Sequence, residues 1–283
     1  MIPVSLDEIV RRVDELPALP KNAHQVIRLT EDPKTVITDL SNAISTDQAL
    51  AAKVLRLANS AYYGYARRIF TISDAVIILG YGTIRNLVMA ASVHSVMDRE
   101  LPGYVMARGE LWKQSMVCAL LARKLAARCG FDNHEKAFVA GLMHDIGKII
   151  LSTYMAEAFA GIIERVNTEK VPFMKAEEEV LGFNHAVVGG KVAEKWNLPE
   201  ELVEAISCHH NPREAKISPA LTSITHLTDV ACMTMGIGLG ADGLLYPYDG
   251  YALEVLHTTH EDLEEVIAEV GDSMFDLESL IPE

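Results

Sequence analysis

The sequence predicts an all-α protein. Three observations support this fold class: helix-capping patterns recur along the chain, apolar residues repeat at helical spacing, and the alternation typical of strands is nearly absent. The chain has 283 residues, of which 49% are hydrophobic and 23% are charged. This composition is ordinary for a globular protein, and the length allows one large core or two smaller ones.

The first helices are predicted from their caps and stops. Ser5-Leu-Asp-Glu8 is a capping box that opens an amphipathic helix, and Leu16-Pro-Ala-Leu-Pro20 ends it. A second helix ends near Asp32-Pro33. Ser45-Thr-Asp-Gln48 caps a third helix, which closes at Asn59-Ser-Ala-Tyr-Tyr-Gly64.

A turn near residue 100 predicts a subdomain boundary. Before it, Thr71-Ile-Ser-Asp74 caps a short helix, and Gly80-Tyr-Gly82 turns the chain into a long apolar helix. The boundary falls at Leu101-Pro-Gly103. We therefore expect an N-terminal helical subdomain at residues 1–100, packed against a second helical subdomain at residues 101–283.

The second half contains a succession of helical patterns separated by turn residues. Gly236-Ile-Gly-Leu-Gly240 imitates a dinucleotide-binding fingerprint, but no strand precedes it, so a loop is predicted that continues to Gly250. Pro212 places the preceding His209 and His210 in the final turn of a helix. The predicted helices cover residues 111–128, 134–154, 155–168, 174–181, 185–196, 199–210, 217–235 and 261–270.

Charge is distributed unevenly along the chain. The formal net charge is −14, no Lys or Arg follows Lys216, and thirteen Asp and Glu residues lie beyond it, which gives an acidic C-terminal extension. Nucleic-acid binding requires a basic face, so we expect no nucleic-acid partner. A solvated acidic surface is the favoured interpretation, and a docking face for a basic partner is the second.

Other features indicate a cytoplasmic protein with reduced thiols. The four cysteines form no CxxC pair and lie in apolar helical patterns, as buried free thiols do. No apolar stretch approaches the roughly 18–20 residues that a membrane span needs. Met1-Ile-Pro-Val runs directly into a charged helix without a signal-peptide pattern. We therefore expect cytoplasmic localisation and no membrane partner.

A histidine-aspartate pair is the most informative motif. Gly141-Leu-Met-His144-Asp145-Ile-Gly147-Lys148 places an imidazole beside a carboxylate in an apolar segment. Burying both groups requires a compensating cation or a hydrogen-bond network. Further nitrogen and oxygen donors follow, and a set without thiolate favours iron, manganese, zinc or nickel. These downstream donors are His185, His209, His210 and Asp229.

These residues resemble the HD superfamily of metal-dependent phosphohydrolases, and more closely its HDOD branch of bacterial signalling domains. In the first half, the resemblance rests on Leu16-Pro-Ala-Leu-Pro20, Ile44-Ser-Thr-Asp47, Val54-Leu-Arg-Leu-Ala-Asn-Ser60-Ala-Tyr-Tyr63 and Ile78-Leu-Gly80. In the second half, it rests on His144-Asp145, His185, Trp196-Asn-Leu-Pro199, His209-His210 and Asp229. The resemblance implies an HD-domain-like helical bundle and a metal site at those histidines and aspartates.

The sequence departs from the related HD-GYP enzymes at one ligand position. Those enzymes begin their ligand set with a histidine about thirty residues before the His-Asp pair, where this chain has Gln114. An amide oxygen is a poorer donor than imidazole, so the ion position that also uses His144, Asp145 and Asp229 is weakened. The GYP signature is also missing after His209-His210. We therefore expect a single ion, or substoichiometric metal.

Two functions follow from this resemblance. The first is a regulatory HDOD domain with a degenerate metal site, without hydrolase activity, that binds signalling proteins or a small ligand. The second is a metal-dependent phosphohydrolase or phosphodiesterase acting on a nucleotide or cyclic dinucleotide, with Asp145 holding metal and Lys148 neutralising phosphate charge. Lys148 has an alternative role as an ion-pair partner of a neighbouring carboxylate. Gln114 favours the first function.

Overall fold

The structure is a computed structural model that describes residues 21–60, 67–241 and 248–273, together with Leu6, Ile9, Arg11, Tyr63 and Tyr65. These described residues form α-helices, two short 3₁₀ turns and one isolated bridge between Leu101 and Met106, with no β-strand. The all-α prediction is confirmed. Most of the helix expected after Ser5, and its stop at residues 16–20, lie outside the described residues.

The chain divides into two compact units, and the boundary predicted near residue 100 stays a prediction. The smaller unit contains residues 21–96 and 268–273 of the described chain, and the larger contains residues 97–267. Helices of the smaller unit are α1 (Lys21–Glu31), α2 (Ile37–Ser45), α3 (Gln48–Ala58) and α4 (Ile72–Met97), the last of which ends at the boundary.

Two details of the smaller unit differ from the sequence prediction. Helix α2 was not expected, because it has no Ser, Thr, Asp or Asn at its N-cap. Its start is stabilised instead by the Asp39 carboxylate, which accepts the backbone N–H of Val36 at 3.1 Å. The cap of α3 is Asp47, whose carboxylate accepts the N–H of Leu50 at 3.0 Å. The predicted break at Gly80 is present, with φ 79° and ψ 164°.

The prediction that no apolar segment approaches the length of a membrane span is wrong for helix α4. Its 26 residues include an 18-residue window of mean hydropathy 1.5, which is sufficient by length and composition. However, 61% of that window is buried inside the structure, as in a core helix. Residues His134–Tyr154 and Ala156–Glu169 pass the same test only as a pair bent by 115°.

The larger unit contains the remaining helices, apart from residues 268–273 at the end of the last one, and three of these helices differ from prediction. The expected helix 134–154 is interrupted at residues 144–146. The helix expected to contain the histidine pair ends at Ser207, so His209 and His210 lie in the following turn. A short helix, Gly250–Leu256, begins where only a loop was expected, with Asp249 as its cap. In order these helices are α5 (Glu110–Arg128), α6 (His134–Met143), α7 (Gly147–Tyr154), α8 (Ala156–Glu169), α9 (Phe173–Leu181), α10 (His185–Lys195), α11 (Glu200–Ser207), α12 (Pro219–Thr234), α13 (Gly250–Leu256) and α14 (His260–Ser273).

Glycines allow the central helices of the larger unit to approach closely. A Cβ at Gly147 would lie 2.0 Å from the carbonyl oxygen of His185 and 2.6 Å from the nitrogen of Gly189. Because both obstacles are backbone atoms, they cannot move aside as a side chain would. Helix α7 is therefore held against α10 by main-chain contact. The two tryptophans, Trp112 and Trp196, are buried in the core.

Replacing Gly147 by Ala tests this contact. We expect Gly147→Ala to lower the free energy of unfolding by about 2 kcal/mol or more, because the added methyl group overlaps backbone atoms. Gly161→Ala is the control, since nothing lies within 4 Å of its Cβ position in α8. The control should be neutral or more stable by about 0.5–1 kcal/mol. Urea unfolding of both variants measures the difference, and equal effects would contradict the close approach.

Candidate metal centre

The larger unit brings together all six residues that the sequence analysis proposed as metal ligands. They come from four parts of the unit: His144 and Asp145 lie in the turn between α6 and α7, and His185 lies in the first turn of α10. The other three are His209 and His210 after α11, and Asp229 within α12. Five of the six are buried, and the side chain of His210 is only 6% exposed.

The Asp145 carboxylate lies at the middle of the cluster. Its Oδ1 is 3.2 Å from Nε2 of His185 and 3.9 Å from Nε2 of His209. Its Oδ2 accepts hydrogen bonds from Nε2 of Gln114 at 3.0 Å and from Nζ of Lys148 at 2.9 Å. The ion pair that was one of the two interpretations of Lys148 is therefore present. The two oxygens of Asp145 face different surroundings.

Three histidines are held in the tautomer that metal ligands need. Nδ1 of His144 lies 2.8 Å from the Gly141 carbonyl, and Nδ1 of His209 lies 2.7 Å from the Ile206 carbonyl. Nδ1 of His185 lies 2.6 Å from Oε2 of Glu177. Because each Nδ1–H donates to an oxygen, each Nε2 can present its lone pair toward the cluster.

The donor atoms form two groups with the spacing of ligands around an ion. His185, His209 and His210 form one group, and His144, Asp145 and Asp229 form the other; within each, the donor atoms lie within 4.8 Å of one another. Nε2 of His185 is 2.8 Å from Nε2 of His210, and Nε2 of His144 is 3.2 Å from Oδ1 of Asp229. Ligands bonded at about 2.0–2.2 Å to one ion have separations of this order.

Unpartnered polar atoms show that the residues fit a cation. Oδ1 of Asp145 and Nε2 of His209 are buried and make no hydrogen bond within the described structure. A buried polar atom without a partner costs about 1–3 kcal/mol. Both atoms are electron-pair donors, and both belong to the His185 side of the cluster. A divalent ion at that side would satisfy them together.

The pKa values of His185 and His209 are shifted in opposite directions. Burial lowers the pKa of His185, but the carboxylates of Glu177 and Asp145 outweigh burial and raise this pKa to about 9. Burial and the neighbouring charge of His144 lower the pKa of His209 to about 3. His209 is therefore neutral at physiological pH, as a ligand must be.

Glu177 and Tyr104 belong to this centre, although the sequence analysis did not single them out. Glu177 is fully buried and also accepts the backbone N–H of His185 at 3.1 Å, while the Tyr104 hydroxyl donates to its other oxygen. The acidic run at residues 177–179 looks like a solvated face. Helical spacing could have indicated that Glu177 is buried. It lies four residues from both Phe173 and Leu181, on the apolar face of α9.

Other polar side chains position the histidine pair and the helix that carries Asp229. Nδ1–H of His226 donates to the His209 carbonyl at 2.8 Å. The Glu204 carboxylate accepts the backbone N–H groups of Lys216, Ile217 and Ser218 at 2.6–2.9 Å. Although burial opposes it, these hydrogen bonds hold the pKa of Glu204 below its ordinary value. Glu204 thus fixes the turn that leads into α12.

Comparison with known proteins identifies the family. Residues 16–212 match the HDOD domain family. The chain belongs to this family. The HDOD resemblance seen in the sequence is therefore confirmed, and with it the HD-type helical fold.

Two curated relatives are longer than this chain. A Treponema pallidum (strain Nichols) protein of uncharacterized function is 28% identical over 228 residues, which are 78% of this chain and 43% of that protein. Ribonuclease Y of Lawsonia intracellularis (strain PHE/MN1-00) is 32% identical over 117 residues, which are 41% of this chain and 17% of that enzyme. The matches therefore span less than half of either relative.

Solved structures share the fold over nearly the whole chain. An HDOD domain protein of unknown function from Geobacter sulfurreducens has a TM-score of 0.80 and 27% identity, covering 97% of this chain and 96% of that one. A candidate phosphohydrolase from Shewanella amazonensis SB2B has a TM-score of 0.66 and 26% identity, covering 92% and 97%.

Replacing Glu177 tests its role in orienting His185. We expect Glu177→Gln to weaken Mn²⁺ or Zn²⁺ binding about 10–100-fold, because the carboxylate fixes the tautomer and basicity of the imidazole. Glu179→Gln is the control, since Glu179 is exposed on the same helix. Titration calorimetry of both variants provides the comparison. Equal affinity in the two variants would contradict the role assigned to Glu177.

The lowered pKa of Glu204 predicts a pH-dependent contribution to stability. A carboxylate with a depressed folded pKa stabilises the protein above its unfolded pKa, near 4.5, and this contribution is lost as pH falls through the folded value. At pH 7, Glu204→Gln should reduce the free energy of unfolding by about 1 kcal/mol, a figure limited by solvent screening. The difference should shrink below pH 4.5.

Denaturant melts between pH 3 and pH 7 check this dependence. The exposed Glu200→Gln on the same helix is the control and should show no comparable change. A Glu204→Gln effect that stays constant across this range would rule out the carboxylate as its source.

Proposed function

We propose that this HDOD protein is a signalling or regulatory domain whose buried donor cluster holds one divalent transition-metal ion for structure, without hydrolase activity. Its partners are another signalling protein or a small ligand, and not nucleic acid or a membrane. We place it in the cytoplasm. The ion is iron, manganese, zinc or nickel, according to the nitrogen and oxygen donors available.

The occupied Oδ2 of Asp145 carries this proposal. In a two-ion centre, a carboxylate that bridges through both of its oxygens offers one oxygen to each ion. Here the amide of Gln114 and the ammonium of Lys148 both donate to Oδ2. Oδ1 makes no hydrogen bond within the described structure and lies on the side of His185 and His209. Gln114 therefore removes a ligand and also covers the oxygen that a second ion would use.

Burial of the centre supports a structural role for the ion. Asp145 is 1% exposed, Lys148 is 2% exposed, and His144, His185 and His209 are fully buried. A phosphoester would have to reach both the ion and a nucleophilic water, whereas these side chains are almost completely covered by their neighbours. Lys148 is engaged with Asp145 and lies over the Tyr104 ring at 5.5 Å, and does not project into solvent.

The second candidate is a metal-dependent phosphohydrolase acting on a nucleotide or cyclic dinucleotide. It is favoured by the intact His144–Asp229 pair, at 3.2 Å, and by similarity to the Shewanella candidate phosphohydrolase. A bound ion would supply Lewis acidity to the phosphoester. Asp145 would hold the ion, and Lys148 would neutralise phosphate charge after leaving its ion pair.

Metal stoichiometry tests the single-ion proposal. After loading with Mn²⁺, Fe²⁺, Zn²⁺ or Ni²⁺, elemental analysis should find one ion or less per chain, and none after Asp145→Ala. Gln114→His should raise the stoichiometry, because it restores an imidazole and removes the amide donor from Oδ2. The exposed Gln25→His is the control for a histidine that merely adds a surface ligand. Two full ions in the unaltered protein would contradict the proposal.

Activity assays separate the two candidates. We expect the Mn²⁺- or Fe²⁺-loaded protein to leave cyclic dinucleotides, nucleotides and a generic phosphodiester unchanged. Turnover that is lost in Asp145→Ala and in Lys148→Gln would establish the phosphohydrolase instead. Ribonuclease Y similarity adds an RNA substrate to this panel, and no cleavage of it is expected.

A further inference from the structure

The smaller unit contains a cavity that the metal centre does not use. Its volume is about 730 Å³, within the range of small-molecule sites. It lies beside the C-terminal end of α3 and the segment that follows. Four of its lining residues, Leu55, Arg56, Asn59 and Ser60, belong to a motif associated with the N-terminal module, and the others are Ala52, Tyr65, Arg68, Ile69 and Phe70.

The cavity carries positive charge in an acidic protein. Arg56 and Arg68 line it, and neither makes an ion pair with a described residue. Residues 51–70 contain four Lys or Arg and no Asp or Glu, whereas the chain has a net charge of −14. Guanidinium groups bind phosphate and carboxylate through paired hydrogen bonds. The cavity is therefore suited to an anion.

Hydrogen bonds of Asn59 hold the walls of the cavity together. Nδ2 of Asn59 donates to the carbonyls of Leu55 and Ile69 at 2.7 and 2.8 Å, and its Oδ1 accepts the N–H of Ile69 at 2.7 Å. These bonds tie the end of α3 to the next segment. Backbone N–H groups of Asn59 and Ser60 also satisfy the last carbonyls of α3, which reduces the negative potential at that helix end.

A buried hydroxyl without a partner points to a ligand. Ser60 is only 7% exposed and lines the cavity, and its Oγ makes no hydrogen bond within the described structure. A buried hydroxyl in this state costs stability unless something in the cavity bonds to it. A phosphate oxygen would accept a hydrogen bond from this hydroxyl.

Aromatic rings at the cavity determine the rest of the ligand. The Phe70 residue is 74% exposed and Tyr65 is 50% exposed, which is unusual for large apolar groups. The guanidinium of Arg68 lies 5.9 Å from the Phe70 ring centroid. Exposed rings beside a guanidinium favour stacking of a planar heterocycle. An inorganic anion alone would leave these rings and most of the volume without a partner.

We propose that this cavity binds a mononucleotide, with its phosphate at Arg56, Arg68 and Ser60 and its base at Phe70 and Tyr65. This proposal rests on the proposed regulatory role, for which the mononucleotide is the small ligand. The cavity shares no residue with the metal centre. Nucleotide binding and metal content are measured separately, so that the failure of either proposal can be told from the failure of the other.

Calorimetric titration of the full chain with AMP and GMP tests the site. Binding is expected at about 1 mM or tighter, and at least tenfold weaker with adenosine or with ribose 5-phosphate, which each lack one half of the ligand. Arg56→Gln combined with Arg68→Gln should weaken AMP binding at least tenfold. The exposed Arg28→Gln, outside the cavity, should bind AMP as the unaltered protein does.

Two milder variants distinguish a loss of AMP binding from a loss of folding. Ser60→Ala should weaken AMP binding without lowering the thermal stability of the free protein, because its hydroxyl has no partner to lose. Phe70→Leu should weaken AMP more than ribose 5-phosphate. Absence of AMP and GMP binding at about 1 mM, equal affinity for AMP and adenosine, or binding of an oligoribonucleotide alone would overturn the proposal.

Discussion

The larger unit depends on the interactions of the buried Asp145 carboxylate. It lies between His144 on one side and His185 and His209 on the other, and its two oxygens have different neighbours: Oδ2 accepts hydrogen bonds, and Oδ1 faces the side that fits an ion. A buried carboxylate is tolerated only when cationic or hydrogen-bonding groups surround it. Lys148, Gln114 and the nearby imidazoles supply those groups, which explains why so many polar side chains converge in an otherwise apolar bundle.

Charge balance links this cluster to an ion. Three buried carboxylates, Asp145, Asp229 and Glu177, face one lysine ammonium, which leaves a formal deficit of two positive charges. Without an ion, protons on His144 and His185 supply them, consistent with the raised pKa of both imidazoles. A divalent ion would bring the same charge while leaving both rings neutral. Exchange of two protons for one metal ion would then keep the charge of the cluster balanced.

Much of this organisation could be predicted from the sequence because it depends on local signals. Capping residues and helical periodicity determined most helices, and the spacing of histidines and aspartates identified residues that the fold brings together. What could not be predicted depended on tertiary contacts. Helix α2 begins without a standard cap, the interruption at residues 144–146 falls at the polar pair, and Glu177 bonds to Tyr104 and His185, which approach it only in the folded chain.

The close passage of Gly147 beside the carbonyl of His185 has a further consequence. The distance between the turn that carries Asp145 and the start of α10 is therefore determined by contact between backbone atoms. Side-chain replacements such as glutamine for histidine at position 114 can then alter the reactivity of the pocket while its dimensions stay the same. A scaffold of this kind can lose a chemical step and still retain its shape for recognition, because shape and reactivity are encoded by different atoms.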